Sequence, residues 1–508
     1  MVSDSHSNML NMLCVGTTIR VNKKRPAPTL DISVNDSKKV KQAAPDELEK
    51  TDKSVRKTHR IVVKGFDVTK PCESLQQIKK LHPKILNSLL KKLPENNIDA
   101  PTPIQMQCIP LLMDKRSILS VAPTGSGKTL TFIVPILSHL KKSQKGNFRA
   151  LILSPTRELA QQIYREFKII GGSRKFSVHF LSKDKAKSDV FTSEEGNRDV
   201  LIATPSYLLS MLEDKKLDLS NLQFCMLDEA DRLFEDGKKG FKEEVSKILE
   251  YVDLIKVTVG LFSATLANGV DNWCFQHLDN FIQVFIGQVN GANSDIKQSL
   301  KFVGTEESKI YTLKSLLQQG FKPPTLIFTQ TKERAKQLHQ ELKLVNSKTE
   351  CIHSDLAQHK REDVIQQFRE GKVWILICTD LLSRGLDFKH VNCVINFDLP
   401  QTKVDYIHRI GRTGRAGRSG EAITFFTEED KKILPNIINV LKNSGCELPS
   451  WLKNLKGIAR RDLKKACKKP VVRNSISTLT KYDQEKNAKR KQMIKHSKEK
   501  KLKAAVES

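Results

Sequence analysis

From about residue 61 the chain alternates between two patterns. Short apolar runs bounded by polar or glycine-bearing turns are followed by longer stretches whose apolar positions recur every three or four residues. The first pattern marks buried strands, and the second marks amphipathic helices packed on them. The runs Ile118–Val121, Ala150–Leu153, Phe176–Leu181, Val200–Ala203, Phe224–Leu227 and Val257–Phe262 predict one sheet. Leu326–Phe328, Glu350–His353, Val373–Cys378, Cys393–Phe397 and Ala422–Phe426 predict a second. Strands alternating with helices build parallel sheets covered on both faces, so the fold class is α/β.

The same patterns divide the chain. Residues 1–60 are polar, carry Pro26, Pro28 and Pro45 and hold no period, which predicts disorder. A first α/β domain spans 61–286, with Ser182–Arg198 as a polar surface loop. A linker covers 287–296, where Gly287–Ser294 holds two glycines and three amides and little apolar to bury, and a second α/β domain spans 297–432. Residues 433–508 continue a helical pattern to Leu441 and end in a basic tail.

Composition narrows the class. No apolar run in the 508 residues approaches the roughly 20 needed to span a bilayer, so no membrane partner is expected. The polar opening Met1–Asn11 does not resemble a secretory signal. Ten cysteines are scattered without zinc spacing, which predicts reduced thiols in cytosol or nucleus. Net charge is +29, and Lys453–Ser508 carries 19 Lys/Arg against 5 Asp/Glu. Such a run is either a solvated tail or a contact for a polyanion. Lys23-Lys24-Arg25-Pro26, with Lys38-Lys39, fits a nuclear import signal.

The octapeptide Ala122-Pro123-Thr124-Gly125-Ser126-Gly127-Lys128-Thr129 follows the run Ile118–Val121 and opens the helical stretch Leu130–Leu140. Strand, glycine-rich turn and helix start wrap backbone N–H groups around a phosphate chain. Lys128 supplies a point charge for the outer phosphates and Thr129 a hydroxyl for Mg²⁺. Ala122 stands where the strict pattern has its first glycine. The turn implies a bound nucleoside triphosphate.

The run Phe224–Leu227 ends in Asp228-Glu229-Ala230-Asp231. Ligands gather at the carboxyl ends of strands in an open parallel sheet, so this cluster can lie beside the glycine-rich turn. Asp228 suits a hold on Mg²⁺, and Glu229 suits the base that orients attacking water. Asp231 by itself could equally be a helix cap or first-turn acid. Arg409, Arg412 and Arg415 recur every third residue. They form a basic face for nucleic-acid phosphates, or they stabilise a transferring phosphoryl group when a second domain closes. The second half has no glycine-lysine-threonine turn of its own, which suggests one site shared across a cleft.

Asp-Glu-Ala-Asp is the signature of the DEAD-box ATP-dependent RNA helicases, and residues 70–430 resemble that family motif by motif. Pro101-Thr102-Pro103-Ile104-Gln105 is similar to its adenine-reading segment, with Gln105 as the amide. Pro155–Ala160 resembles its first RNA motif. Ser263-Ala264-Thr265 resembles the motif coupling hydrolysis to strand separation, to which Asp231 belongs as well. Gln358 with Arg361, Thr379-Asp380, Arg384-Gly385-Leu386-Asp387 and His408–Arg415 follow in the family's order.

The resemblance implies two tandem RecA-like domains binding ATP and RNA across their cleft, in a monomer. It assigns catalysis to Lys128, Asp228, Glu229, Arg412 and Arg415, and Mg²⁺ to Thr129 and Asp228. Nucleotide contacts fall to Gln105, Thr124, Gly125, Ser126, Gly127, Lys128, Thr129 and, near the ribose, Asp387. RNA-backbone contacts fall to Pro155, Thr156, Arg157, Thr204, Pro205, Gln358, Arg361, Thr379 and Gly385. Backbone gripping predicts binding without sequence preference. Rival readings are an ATP-dependent RNA clamp or scaffold of low turnover, and a DNA translocase.

Three positions depart from the family pattern. Asn97-Ile98 replaces a Gly-aromatic pair, Leu75 stands for an upstream aromatic, and Tyr207 stands for an arginine. Leu233–Phe241, Asn443–Trp451 and Phe321–Pro324 resemble the Rok-type branch, implicated in small-subunit ribosomal RNA maturation in the nucleolus. That branch implies a nuclear, nucleolar protein with pre-ribosomal RNA and ribosome-assembly proteins as partners.

Overall fold

The computed structural model describes residues 45–78, 81–95, 100–172, 176–182, 197–235, 240–266, 268–288, 291, 293, 295–380, 388, 391–415, 418–446 and, in the tail, 471, 473, 475, 476, 486, 489, 490 and 493. Strands are numbered in chain order. The first sheet runs β1 (Ile61–Lys64), β8 (Ile282–Ile286), β2 (Ile118–Val121), β7 (Thr258–Ser263), β6 (Phe224–Asp228), β3 (Ala150–Leu153), β5 (Val200–Ala203) and β4 (Val178–Phe180). Every neighbouring pair is parallel except β1 against β8. The central strands are buried at every position, as continuous apolar runs require when helices cover both faces. One apolar layer gathers Ile104, Phe132, Ile133 and Phe167; the other gathers Leu151, Leu208, Val245 and Trp273.

The second sheet runs β11 (Thr349–Ile352), β12 (Ile375–Thr379), β10 (Thr325–Thr329), β13 (Cys393–Asn396), β14 (Gly420–Phe426) and β9 (Ile296–Phe302), all parallel. Two RecA-like lobes result. In the first, β2 and β6 flank β7. Their carboxyl ends bring together the glycine-rich turn, the acidic tetrad and Ser263–Thr265. No helix among the described residues is long and apolar enough to cross a membrane. The eight described cysteines are free and buried, and burial pushes the thiols of Cys108 and Cys225 up to about 12.

The structure departs from the pattern reading at the edges. β1, β8 and β9 were not expected. β9 is only half-buried, alternating Ile296, Gln298 and Leu300 inward with Lys297 outward, and its start trims the expected linker. A helix over Pro45–Thr58 lies inside the stretch expected to be disordered. Arg56 holds it, donating from Nε to Gln107 Oε1 (2.9 Å) and from Nη2 to the Thr69 carbonyl (3.2 Å). The helix Leu434–Asn443 is core: Leu434, Ile437 and Leu441 pack with Tyr406, Ile407 and Ile410. The basic tail also returns to the second lobe at Arg473, whose side chain is 1% exposed.

Candidate active site

The glycine-rich turn is built by backbone geometry. Gly127 has φ +93° and stands immediately before the helix Lys128–Leu140; a Cβ there would lie 2.5 Å from Gln105 Nε2. Glycine is required twice over, by the left-handed backbone and by the close approach. Gln105 is buried and both ends of its amide are engaged. Its Oε1 accepts from the Thr102 N–H (3.0 Å) and its Nε2 donates to the Gly127 carbonyl (3.3 Å). Thr102 Oγ1 donates to the Ser126 carbonyl at 2.7 Å. The segment expected to read adenine thus also braces the phosphate turn, a role for Thr102 that the sequence did not signal.

Lys128 Nζ donates to the carbonyls of Ala122 (2.8 Å) and Pro123 (2.9 Å). Burial pulls its ammonium down to about 8 against the opposing pull of Asp228, Asp231 and Glu229, with Arg415 lowering it further. Asp228, at the end of β6, accepts from the Glu229 N–H at 2.9 Å. Burial, reinforced by Glu229, raises its carboxyl to about 7. Asp228 and Thr129 offer an oxygen-only donor set suited to a hard divalent cation. Among the described residues no group of three or more His, Cys, Asp or Glu could hold a metal by itself, so phosphate and water would complete any coordination shell.

Glu229 holds a left-handed backbone at φ +50° and is 7% exposed, and its Oε2 is buried without a hydrogen-bond partner. A strained residue carrying an unsatisfied carboxylate oxygen is stored cost, the mark of a working position. Across the cleft, Arg412 Nη2 lies 3.8 Å from Glu229 Oε1.

Three further contacts close the cleft. Thr124 Oγ1 donates to the Gly411 carbonyl at 3.0 Å. Asp231 Oδ2 accepts from Thr265 Oγ1 (2.7 Å), from the Thr265 N–H (3.2 Å) and from His408 Nε2 (3.0 Å). Thr265 in turn accepts at its carbonyl from Ser263 Oγ at 2.6 Å. Asp231 is therefore no simple cap; it joins the Ser-Ala-Thr turn to the second lobe. Arg361 Nη1 meets Glu158 Oε1 at 2.8 Å.

The three arginines do not share a face. The helix Lys403–Ile410 ends before Arg412 and Arg415. Arg409 points inward, paired with Asp380 at 2.5 and 2.8 Å and with the Asp398 carbonyl at 2.7 Å. Arg412 and Arg415 turn back onto the carbonyls of His408 (3.0 Å) and Gly411 (2.8 Å), beside the first lobe. A Cβ on Gly125 would lie 2.9 Å from Arg415 Cγ.

The residues expected to grip RNA lie at the starts of helices and the ends of strands. Thr156, after the buried Pro155, caps the helix Arg157–Gly171 through the Leu159 N–H (3.3 Å), and Arg157 donates to Ser182 Oγ (2.6 Å). Thr204 and Pro205 begin the helix Pro205–Glu213, and Tyr207 packs half-buried against the core. Gln358 donates to Glu362 (2.9 Å), and Thr379 ends β12. Gly385, Asp387 and the Asn97-Ile98 pair lie outside the described residues. Leu75, the other substituted aromatic, is buried core.

Comparison with known proteins agrees with this geometry. The family model "DEAD/DEAH box helicase" matches residues 102–273, and "Helicase conserved C-terminal domain" matches 308–417. A probable ATP-dependent RNA helicase DDX52 of Bos taurus is 42% identical over 88% of this chain and 75% of its own length. The ATP-dependent RNA helicase ROK1 of Scheffersomyces stipitis is 39% identical over 91% of this chain and 84% of its own. The solved structure of S. cerevisiae Dbp5 bound to RNA and ADP BeF3 superposes with a TM-score of 0.65 at 26% identity, covering 78% of this chain and all of that one. Fold, motif geometry and relatives converge: this chain belongs to the DEAD-box family of ATP-dependent RNA helicases.

Proposed function

We propose that the protein is an RNA-stimulated ATPase that remodels precursor RNA of the small ribosomal subunit in the nucleolus. The observation that carries the ATPase is the pairing of Glu229, strained and with one oxygen unsatisfied, with Arg412 from the opposite lobe. Glu229 would take a proton from water, and Arg412 and Arg415 would neutralise charge developing on the transferred phosphoryl group. Lys128 and the N–H groups of Thr124–Thr129 would hold the phosphates, and Gln105 and Asp387 the nucleoside. Mg²⁺, held through Asp228 and Thr129, would neutralise phosphate charge.

These groups act together only when the lobes meet, so ligands that bridge the lobes favour one another. RNA held by Pro155, Thr156, Arg157, Thr204, Pro205, Gln358, Thr379 and Gly385 would stabilise the closed form and start hydrolysis. Gripping one strand along its backbone separates short duplexes without reading bases. The ribosomal assignment rests on the relatives named DDX52 and ROK1 and on the basic tail.

ATPase assays with matched RNA and DNA strands test the first part: RNA-specific stimulation is expected, equal stimulation would indicate a DNA translocase, and none a low-turnover clamp. Crosslinking the cellular protein and sequencing bound fragments tests the second. Small-subunit precursor sequences are expected, and mainly messenger RNA would overturn the assignment.

A further inference from the structure

Six ionisable side chains meet near the carboxyl ends of three strands of the second lobe. Glu306 follows β9, Asp398 follows β13 and Asp430 follows β14, while Lys309 and Arg334 come from adjoining helices. Lys309 lies 2.6 Å from Glu306 and 3.3 Å from Asp398, and Arg334 lies 3.1 Å from Glu306 and 2.7 Å from Asp398. Three carboxylates against these two cations leave one buried negative charge uncompensated. The sixth member, Arg473, supplies the balance from the tail. It donates to Asp430 Oδ1 (2.6 Å) and Gln330 Oε1 (2.9 Å), pairs with Glu306, and lies 3.7 Å from Asp398. Every edge of its guanidinium is engaged, a match for a rigid fork of five donors.

The attachment extends beyond one side chain. Val471 packs on the core that includes Ile407 and Ile410. Ile476 packs on the core of Ile310 and Leu338, and its N–H donates to Gln337 Oε1 at 2.9 Å. From the cluster a short path leads to the ATPase. The carbonyl of Asp398 accepts from Arg409 Nη1, and Arg409 sits beside His408 on the helix that ends just before Arg412.

We propose that Arg473 is a positioning residue for the ATPase: by completing the buried charge cluster it fixes the turn at Asp398, and through that turn the helix from which His408 and Arg412 reach the first lobe. The inference rests on the RNA-stimulated ATPase proposed above. It reverses the reading of the tail around residue 473 from a free basic arm to part of the second lobe.

The test uses three full-length variants: Arg473→Met, Asp430→Asn, and the pair, which restores neutrality. The amide that Asp430→Asn introduces can still accept from the Thr427 N–H that the Asp430 carboxylate caps. Arg473→Met should lower RNA-stimulated kcat about tenfold, within the usual span of coupling between sites. Binding of a fluorescent ATP analogue without RNA should stay unchanged, because the phosphate turn lies on the other lobe. Hydrogen exchange over Lys403–Ile410 should rise. The neutral pair should recover kcat and protection together. Wild-type kcat and exchange in Arg473→Met, or a loss that the pair leaves unrestored, would overturn the proposal. If the wild-type protein shows no RNA stimulation, the proposed function fails by itself, while the exchange comparison still decides whether Arg473 holds the helix.

Discussion

The hydroxyl of Thr124 in the phosphate turn reaches across the cleft to the carbonyl of Gly411 at 3.0 Å, and a Cβ on residue 411 would lie 1.8 Å from that hydroxyl oxygen. With Thr124 in this position, the docked phosphate turn and arginine segment leave no room for a side chain at residue 411. Gly411→Ala should therefore block closure while leaving each lobe folded. RNA-stimulated turnover should fall by about 10²-fold, the loss expected when catalytic groups are displaced by an ångström. ATP-analogue affinity without RNA should hold. Adding Thr124→Gly removes the colliding hydroxyl and should restore part of the loss; no recovery would mean that Gly411 serves some other purpose.

Glu229 makes the sharpest catalytic prediction. Glu229→Gln keeps the shape of the side chain and its 3.8 Å approach to Arg412, but removes the base. Single-turnover hydrolysis should slow by about 10²–10⁴, the usual contribution of general base catalysis. RNA held in the presence of ATP should persist longer than with wild type, since closure survives and hydrolysis does not. Wild-type hydrolysis by this variant would remove Glu229 from the mechanism.

Much of this site is written in local sequence. The turn 122–129 and the tetrad 228–231 each follow a short apolar run, and strand, turn and chemistry fall within a few residues of one another. β2, β3 and β5 have the bounds expected because a strand buried on both faces is apolar throughout. β9 escaped notice because only alternate residues face the core, and Arg56 and Arg473 because their partners lie far away in sequence. The same limit applies to Gly411: a glycine after a helix looks like an ordinary stop signal, and only the opposing Thr124 shows its second purpose.

Arg361 has a partner that its motif did not foretell. Resemblance made it an RNA contact, yet its guanidinium lies 2.8 Å from Glu158 on the other lobe, with both side chains largely buried. A phosphate contact on single-stranded RNA would contribute about 0.7 to the slope of log affinity against log salt. Arg361→Ala should weaken ATP-dependent RNA binding with that slope unchanged, because the lost contact is between lobes. In a double-mutant cycle Glu158→Gln should add little to it, whereas additive losses would return Arg361 to the RNA.

Acid should loosen the second lobe through Asp398. Burial raises its carboxyl, but Lys309, Arg334 and Arg473 together outweigh burial and hold it well below the ordinary carboxylate range. The folded lobe therefore keeps this group ionised at pH values where the unfolded chain binds a proton. The stabilisation is complete above the unfolded value of about 3.9 and drains away as pH falls through and below it. Arg473→Met removes one of the three cations, so the folded value should rise toward the unfolded one and the pH dependence should flatten. Urea midpoints of the two proteins from about pH 6 down to about pH 2 measure this directly: the gap between them should hold above about pH 4 and narrow below it. A gap constant across that range would mean that Arg473 contributes packing without acting on the charge of Asp398.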